Sequence, residues 1–144
     1  MPDHPLFSVS LVTPEGAAFE GEAEMLIVPG AAGEIGVLAR HAPLVATLKA
    51  GSIRVYTQRG PDEIREFATG PGFFKVELDR ALALVDDAVD VQEIHDARAQ
   101  EQLDAARAEL EKVEAGESAA DRWQLEQRIV HAENQLRVSG RTTG

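Results

Sequence analysis

The hydrophobic period of this chain changes once, near Asp90, and that change restricts the fold more than any other feature. Before it, apolar residues alternate with polar ones. Phe7, Val9 and Leu11 alternate with Ser8 and Ser10, and Ile53 and Val55 with Arg54 and Tyr56. Phe74, Val76 and Leu78 alternate with Lys75, Glu77 and Asp79, and Leu82 to Val85 continues the run. Met25 to Val28 is a short apolar run. Successive strand side chains point to opposite faces, so each run predicts a strand with one buried face. Pro14-Glu15-Gly16, Pro29-Gly30, Gly60-Pro61-Asp62 and Gly70-Pro71-Gly72 separate the runs as turns. Short strands with frequent turns predict an antiparallel β-sandwich or barrel. The alternation assigns Phe7, Val9, Leu11, Ile27, Ile53, Val55, Val76 and Leu84 to its core.

After Asp90 proline disappears, and alanine, glutamate and glutamine dominate. Leu103, Ala106, Leu110 and Val113 step by three and four, as do Leu125, Ile129, Ala132 and Leu136. Each set is an apolar stripe on one helix face. The first helix is expected over about Gln92 to Ala115, with Gly116 as its stop. Ser118-Ala119-Ala120-Asp121 fits a capping box for the second. The link is short enough to require a tight antiparallel return. The expected organisation is a β-sandwich over residues 1–88, then an α-helical hairpin over 89–144 ending in a short disordered tail. The hairpin stripes are narrow and alanine-bearing, so they bury little and the hairpin should be marginally stable alone.

Composition removes several classes of function. The chain has no cysteine, which eliminates disulfides, thiolate metal sites and cysteine nucleophiles together. Fourteen basic against twenty-five acidic residues give a net charge of −11. That opposes nonspecific binding to nucleic acid or to an anionic membrane surface. The opening segment MPDHPLF lacks the basic-then-apolar pattern of a signal peptide. No apolar run approaches the roughly 20 residues that span a bilayer, so membrane association is expected only through a protein partner. The histidines, His4, His41, His95 and His131, form neither HxH nor HExxH, and there is no GxSxG or P-loop lysine. No catalytic residue and no metal site is expected.

Two short segments stand out as candidate contacts. In Gly33-Glu34-Ile35-Gly36, glycines on both sides would let the backbone turn tightly and lift Glu34 to a loop tip. The plain alternative is a hairpin turn with a solvated acid. In His41-Ala42-Pro43, the proline restricts Ala42 and fixes the loop. The alternative is a loop histidine hydrogen-bonded to backbone.

The stretch from Gly33 to Gly51, GEIGVLARHAPLVATLKAG, preceded by VPG at Val28 to Gly30, resembles the signature of the epsilon subunits of F-type rotary ATP synthases. Val12 to Glu24, Phe67 to Ala88, the segment IHDARA and the closing AENQLRV resemble other parts of that family, so the likeness covers nearly the whole chain. The resemblance implies a non-catalytic rotor subunit that couples rotation of a c-ring to ATP synthesis, with a mobile hairpin that regulates hydrolysis. It implies that Gly33, Glu34, Ile35 and Gly36 meet the c-ring, and that His41, Ala42 and Pro43 face the gamma subunit. One departure is that Ala39-Arg40 stand where the family usually has a proline-glycine-like pair.

The remaining implications concern the hairpin. In Ile94 to Ala99 the resemblance is to an I/L-D-x-x-R-A motif that binds ATP, but His95 replaces its acid. A one-residue shift on a helix turns a side chain by about 100°, so Asp96 is no direct substitute. The resemblance leaves a weak ATP contact at Arg98, completed from the second helix by Arg122 and Arg128, and no other cofactor. Contact with an acidic segment of the alpha/beta catalytic head would fall to Arg122, Arg128, Arg137 and Arg141, spaced by Glu126 and Glu133. The location implied is peripheral, on the cytoplasmic face of a bacterial inner membrane. The rival reading is a free β-sandwich ligand-binding module with a helical tail that self-associates through Leu103, Leu110, Leu125 and Leu136.

Overall fold

The computed structural model describes residues 5–57, 64–94 and 96–143. Ten strands come first: β1 (Phe7–Thr13), β2 (Gly16–Ala23), β3 (Met25–Gly30), β4 (Gly33–Val37), β5 (Leu44–Leu48), β6 (Gly51–Tyr56), β7 (Ile64–Thr69), β8 (Gly72–Glu77), β9 (Arg80–Val85) and β10 (Ala88–Asp90). A 3-10 turn at Val91–Glu93 leads to helices α1 (Asp96–Glu114) and α2 (Arg122–Thr143). The strands are hydrogen-bonded in the order β10-β7-β6-β3-β5-β8-β9-β1-β2, with β4 paired to β3. Neighbours run antiparallel except β1 and β9, which are parallel from Ser8 opposite Arg80 to Val12 opposite Leu84. The result is the expected β-sandwich followed by a helical hairpin.

The alternation sets the core. Phe7, Val9, Leu11, Ile53, Val55 and Val76 are buried as expected, joined by Leu26, Val28, Val37, Phe67 and Phe74. Two assignments were out of phase. Leu84 is 46% exposed and Ile27 only half-buried, because β9 turns Ala81, Ala83 and Val85 inward and β3 turns Leu26 and Val28 inward. Both strands are apolar on both faces, so period alone does not choose between them. Leu78 is no core residue either. It sits with Asp79 in the two-residue turn between β8 and β9.

The chain divides into two compact units, Met1–Asp90 and Val91–Gly144. The boundary lies two residues beyond the expected 88/89, because Ala88–Asp90 pairs with Phe67–Thr69 as a last strand. Arg65 reinforces that end. Its guanidinium lies 5.7 Å from the Phe19 ring centre and 5.3 Å from that of Phe67, and it pairs with Asp90 at 3.0 Å. Cation–π and ionic contacts thus fix the exit of the sandwich.

In the second unit the expected stripes lie on α1 and α2. Leu103, Ala106, Leu125 and Ala132 are buried, while Leu110, Val113, Ile129 and Leu136 are half-buried. α1 starts at Asp96, four residues later than expected, because the 3-10 turn occupies Val91–Glu93. Its end follows the glycine rule closely. Gly116 has φ +76°, its N–H donates to the Val113 carbonyl, and the Glu117 N–H donates to that of Lys112, the double bond of a Schellman stop. The cap of α2 is Asp121 rather than Ser118. Asp121 Oδ1 accepts from the N–H of Trp123 at 2.9 Å and of Gln124 at 3.2 Å. Ser118 Oγ instead accepts from Ala120 N and donates to Glu109.

Val76→Ala is expected to lower stability by about 2 kcal/mol, through lost burial and a residual cavity. Leu84→Ala should change it by about 0.5 kcal/mol or less, as an outward residue would. Urea unfolding monitored by circular dichroism checks both, and equal losses would show the strand phase to be wrong.

Candidate functional site

The GEIG segment is a strand. Gly33–Val37 forms β4, hairpinned to β3 through Ala31-Ala32, so those alanines occupy the tip and Glu34 stands opposite Pro29. Gly33 has φ +144°, a region that L side chains rarely adopt, and this lets the hairpin close. Glu34 does not project freely. Its Oε2 accepts from Nη2 of Arg54, on β6, at 2.8 Å. On the intervening strand β3, Ile27 stands opposite both Gly36 and Arg54, so the ion pair crosses diagonally from Arg54 to Glu34, two residues before Gly36. The alternation of β6 gives the face of Arg54 but not its partner. Gly33, Glu34 and Gly36 are exposed and Ile35 is half-buried, so the segment offers one acid, one apolar flank and two bare backbone positions.

His41 is half-buried, and its Nδ1 lies 2.6 Å from the Ala42 carbonyl oxygen, the local backbone contact considered from sequence. Ala42 and Pro43 are exposed. Arg40, at the position where the family usually has a glycine-like residue, has φ +65°. That left-handed backbone is what glycine favours, so the loop keeps a glycine-type bend with an arginine in it. The bend is secured by the Arg40 N–H, which donates to Asp79 Oδ1 at 2.6 Å. Asp79 and the exposed Leu78 were missed as site neighbours, since no Gly, Pro or Asn marks their turn.

The three arginines suggested for nucleotide are not brought together. The helices run antiparallel, cross-linked by Arg122–Glu114 at 3.1 Å and Arg107–Glu133 at 2.7 Å. Arg122 therefore lies beside the end of α1, whereas Arg98 lies in its first turn. Sixteen helical residues separate Arg98 from Glu114, roughly 24 Å at 1.5 Å per residue. Arg122 is also already engaged. Its hydrogen bond to Glu126 at 3.0 Å, with the charges of Glu114 and Glu126, raises its pKa above the ordinary arginine value. Arg98 and Arg128 are exposed and have no ion pair among the described residues. His95 lies outside the described residues.

The basic face proposed for contact with a catalytic head is likewise thin. Arg122 is held by two glutamates, and Arg137 Nη2 donates to Asn134 Oδ1 at 2.5 Å. Arg128 is the cation of that set without a recorded partner among the described residues; the side chain of Arg141 lies outside them. Trp123 is 66% exposed in the first turn of α2, beside these charges. Among the described residues no cluster of His, Asp and Glu could hold a metal ion, and no helix is long and apolar enough to cross a membrane.

The beta-sandwich domain of the ATP synthase delta/epsilon chain family matches residues 6–91. An ATP synthase epsilon chain of Rubrobacter xylanophilus is 35% identical over 137 residues, covering 93% of this chain and 92% of that protein. That of Laribacter hongkongensis is 38% identical over 122 residues, covering 84% and 86%. A chain of the Euglena gracilis mitochondrial ATP synthase, solved with OSCP, F1 and c-ring, shares the fold at TM-score 0.69 and 22% identity, covering 93% of this chain and 80% of its own.

Replacing Gly33 with valine is expected to cost about 1–3 kcal/mol, because its backbone disfavours a β-branched side chain. Glu34→Gln should cost about 1 kcal/mol or less, since it removes a solvent-exposed ion pair. Chemical unfolding of the two variants decides; a larger loss for Glu34→Gln would mean that the ion pair, not the glycine, shapes the hairpin.

Proposed function

This chain belongs to the family of ATP synthase epsilon chains, and from that premise we propose that it works as a rotor subunit, held on the gamma subunit with one end of its sandwich against the c-ring. The observation that carries the reading is the extent of the match. It runs through sandwich and hairpin together, 137 residues at 35% identity. The mechanism is mechanical. A sandwich cross-linked by ten paired strands resists shear, so torque delivered at one loop is passed to another without internal slippage. In this reading Gly33–Gly36 meets polar loops of the c-ring, and His41, Ala42 and Pro43 face gamma. The subunit contributes no catalytic group, and its membrane association is peripheral, through the complex.

The hairpin is the regulatory part, engaging the alpha/beta head transiently. Its recorded ion pairs are exposed, and its stripes contain alanine at several steps. Elements held this lightly open at low free energy, and a partner shifts them with a few kcal/mol. The engaged state of Arg122 and Arg137 leaves Arg128 as the cation most available to an acidic partner. Inhibition of hydrolysis is therefore modest. ATP would meet Arg98 without help from Arg122, which gives weak or absent binding. The self-association rival is disfavoured because Leu103 and Leu125 are already buried within the chain.

The test is reconstitution with the cognate alpha, beta and gamma subunits and c-ring. A chain ending at Asp90 should still fold, bind gamma and support ATP synthesis, while hydrolysis rises by about 2-fold or less, the effect of a weak, solvent-screened contact. Loss of gamma binding on truncation would place the main interface on the helices and overturn the reading. Cysteine at Glu34 should crosslink to a cysteine in the c-ring polar loop. Calorimetry on the isolated chain should show ATP binding no tighter than about 1 mM, near −4 kcal/mol; micromolar affinity would contradict the weight placed on Arg122.

A further inference from the structure

The strand order of the sandwich ends in β10 on one side and β2 on the other, and Arg65 on β7 reaches both. Its guanidinium lies 5.7 Å from the ring centre of Phe19 on β2 and 5.3 Å from that of Phe67 on β7. The two rings meet edge to face, with centres 6.2 Å apart. Through Nη2 the same guanidinium holds Asp90, the last residue of β10, at 3.0 Å. The Asp90 side chain is 16% exposed, so solvent and salt screen this pair less than the ion pairs recorded on the hairpin.

β10 has few other ties. It is three residues long and pairs with β7 alone, through Ala88 opposite Thr69, Val89 opposite Ala68 and Asp90 opposite Phe67. All three residues are half-buried. Ala88 packs on the core, and an alanine contributes little apolar area there. A short edge strand with no fully buried side chain opens at low free energy. The chain just before it is secured differently. The Gly70 N–H donates to the Asp87 carbonyl at 2.9 Å, and the Asp86 N–H donates to the Pro71 carbonyl at 3.2 Å. The Asp86 carboxylate also lies against Gly70, where a Cβ would find no room. An opening that begins at Asp90 therefore stops at Asp87.

We propose that β10 is a releasable strand and that Arg65 is the positioning residue that keeps it docked, so that one side chain sets the length of chain between the sandwich and the helices. With β10 docked, residues 91–95 separate Asp90 from the start of α1 at Asp96. Release of the three residues Ala88–Asp90 adds roughly 10 Å of reach, at about 3.3 Å per residue. This rests on the reading of the hairpin as a regulatory part, because slack in the connection matters only to a part that travels. The rings of Phe19 and Phe67 keep the arginine in place while the strand is away, so redocking meets a preformed partner.

Hydrogen exchange on the isolated chain reads the clamp. Arg65→Gln removes the ion pair and both cation–π contacts, and exchange of the Ala88–Asp90 amides should quicken about 10-fold. Asp90→Asn leaves Arg65 on its rings, and the same amides should quicken about 3-fold. Amides of Gly51–Tyr56 on β6 should keep their natural rate in both variants, the mark of a local opening. Unchanged exchange at β10, or equal quickening at β6, overturns the proposal. In the reconstituted enzyme a disulfide locks the strand. Ala68→Cys with Val89→Cys places cysteines directly opposite, at a Cα separation of about 4.5–5.5 Å that a disulfide spans. The natural chain has no cysteine to compete. Oxidised, the double variant should hydrolyse ATP at the rate of the chain ending at Asp90. Reduced, it should return to the rate of the natural chain, and the two single-cysteine variants should ignore the change. Regulation unaltered by the locked disulfide overturns strand release and leaves the hairpin reading standing. A truncation at Asp90 that leaves hydrolysis unchanged overturns both.

Discussion

The sandwich depends on one constraint: a single apolar layer must be filled from both sides by every second side chain of short strands. Phe7, Phe67 and Phe74 are each 2% exposed or less and lie on β1, β7 and β8, strands that are not neighbours in the sheet. Once they are placed, the opposite residues of each strand have no freedom to turn inward, since register has a period of two. The outward residues are therefore released for other uses. Arg54 reaches Glu34, Val45 and Phe73 face solvent, and Arg65 leans over two aromatic rings to hold Asp90. The candidate contacts are by-products of that division of faces.

The hairpin obeys a different rule. Its shape comes from local chemistry at the helix ends, with Gly116 closing α1 and Asp121 opening α2. Packing between the helices is thin by comparison, built from leucines separated by alanines. Well-capped helices keep their own form even where the seam between them is narrow.

Most of this fold was legible in the sequence, because alternation and helical stripes report burial directly. The misses have specific causes. Ile27 and Leu84 lie in strands that are apolar at every step, Met25–Val28 and Ala81–Val85, so nothing in the pattern marks the inward face. Ser118 and Asp121 are both good caps, and only the three-dimensional path chooses Asp121. Leu78 continues the alternation of Phe74 and Val76, yet it lies in a turn whose one usual turn residue is Asp79, with no Gly, Pro or Asn beside it. Gly33–Val37 is a strand, with Ala31-Ala32 and not Glu34 at the hairpin tip, and the contacts of both candidate segments lie far along the chain. Arg54 is 20 residues from Glu34 and Asp79 is 39 from Arg40, separations that a local pattern does not report.

The parallel pairing of β1 with β9 joins Ser8 to Arg80 across most of the sandwich. Until β9 exists, β1 has only β2 beside it, and its other edge is open. During synthesis at roughly 5–20 residues per second, that edge waits about 4–14 s for its partner. The wait falls on strands whose apolar faces would otherwise pair with any exposed edge. Glu20 and Glu22 on β2, registered against Ser10 and Ser8, place negative charge on the early hairpin. Like charges on a strand edge oppose its pairing with another copy, so the acids of β2 bear on the stage of folding at which β1 is still open.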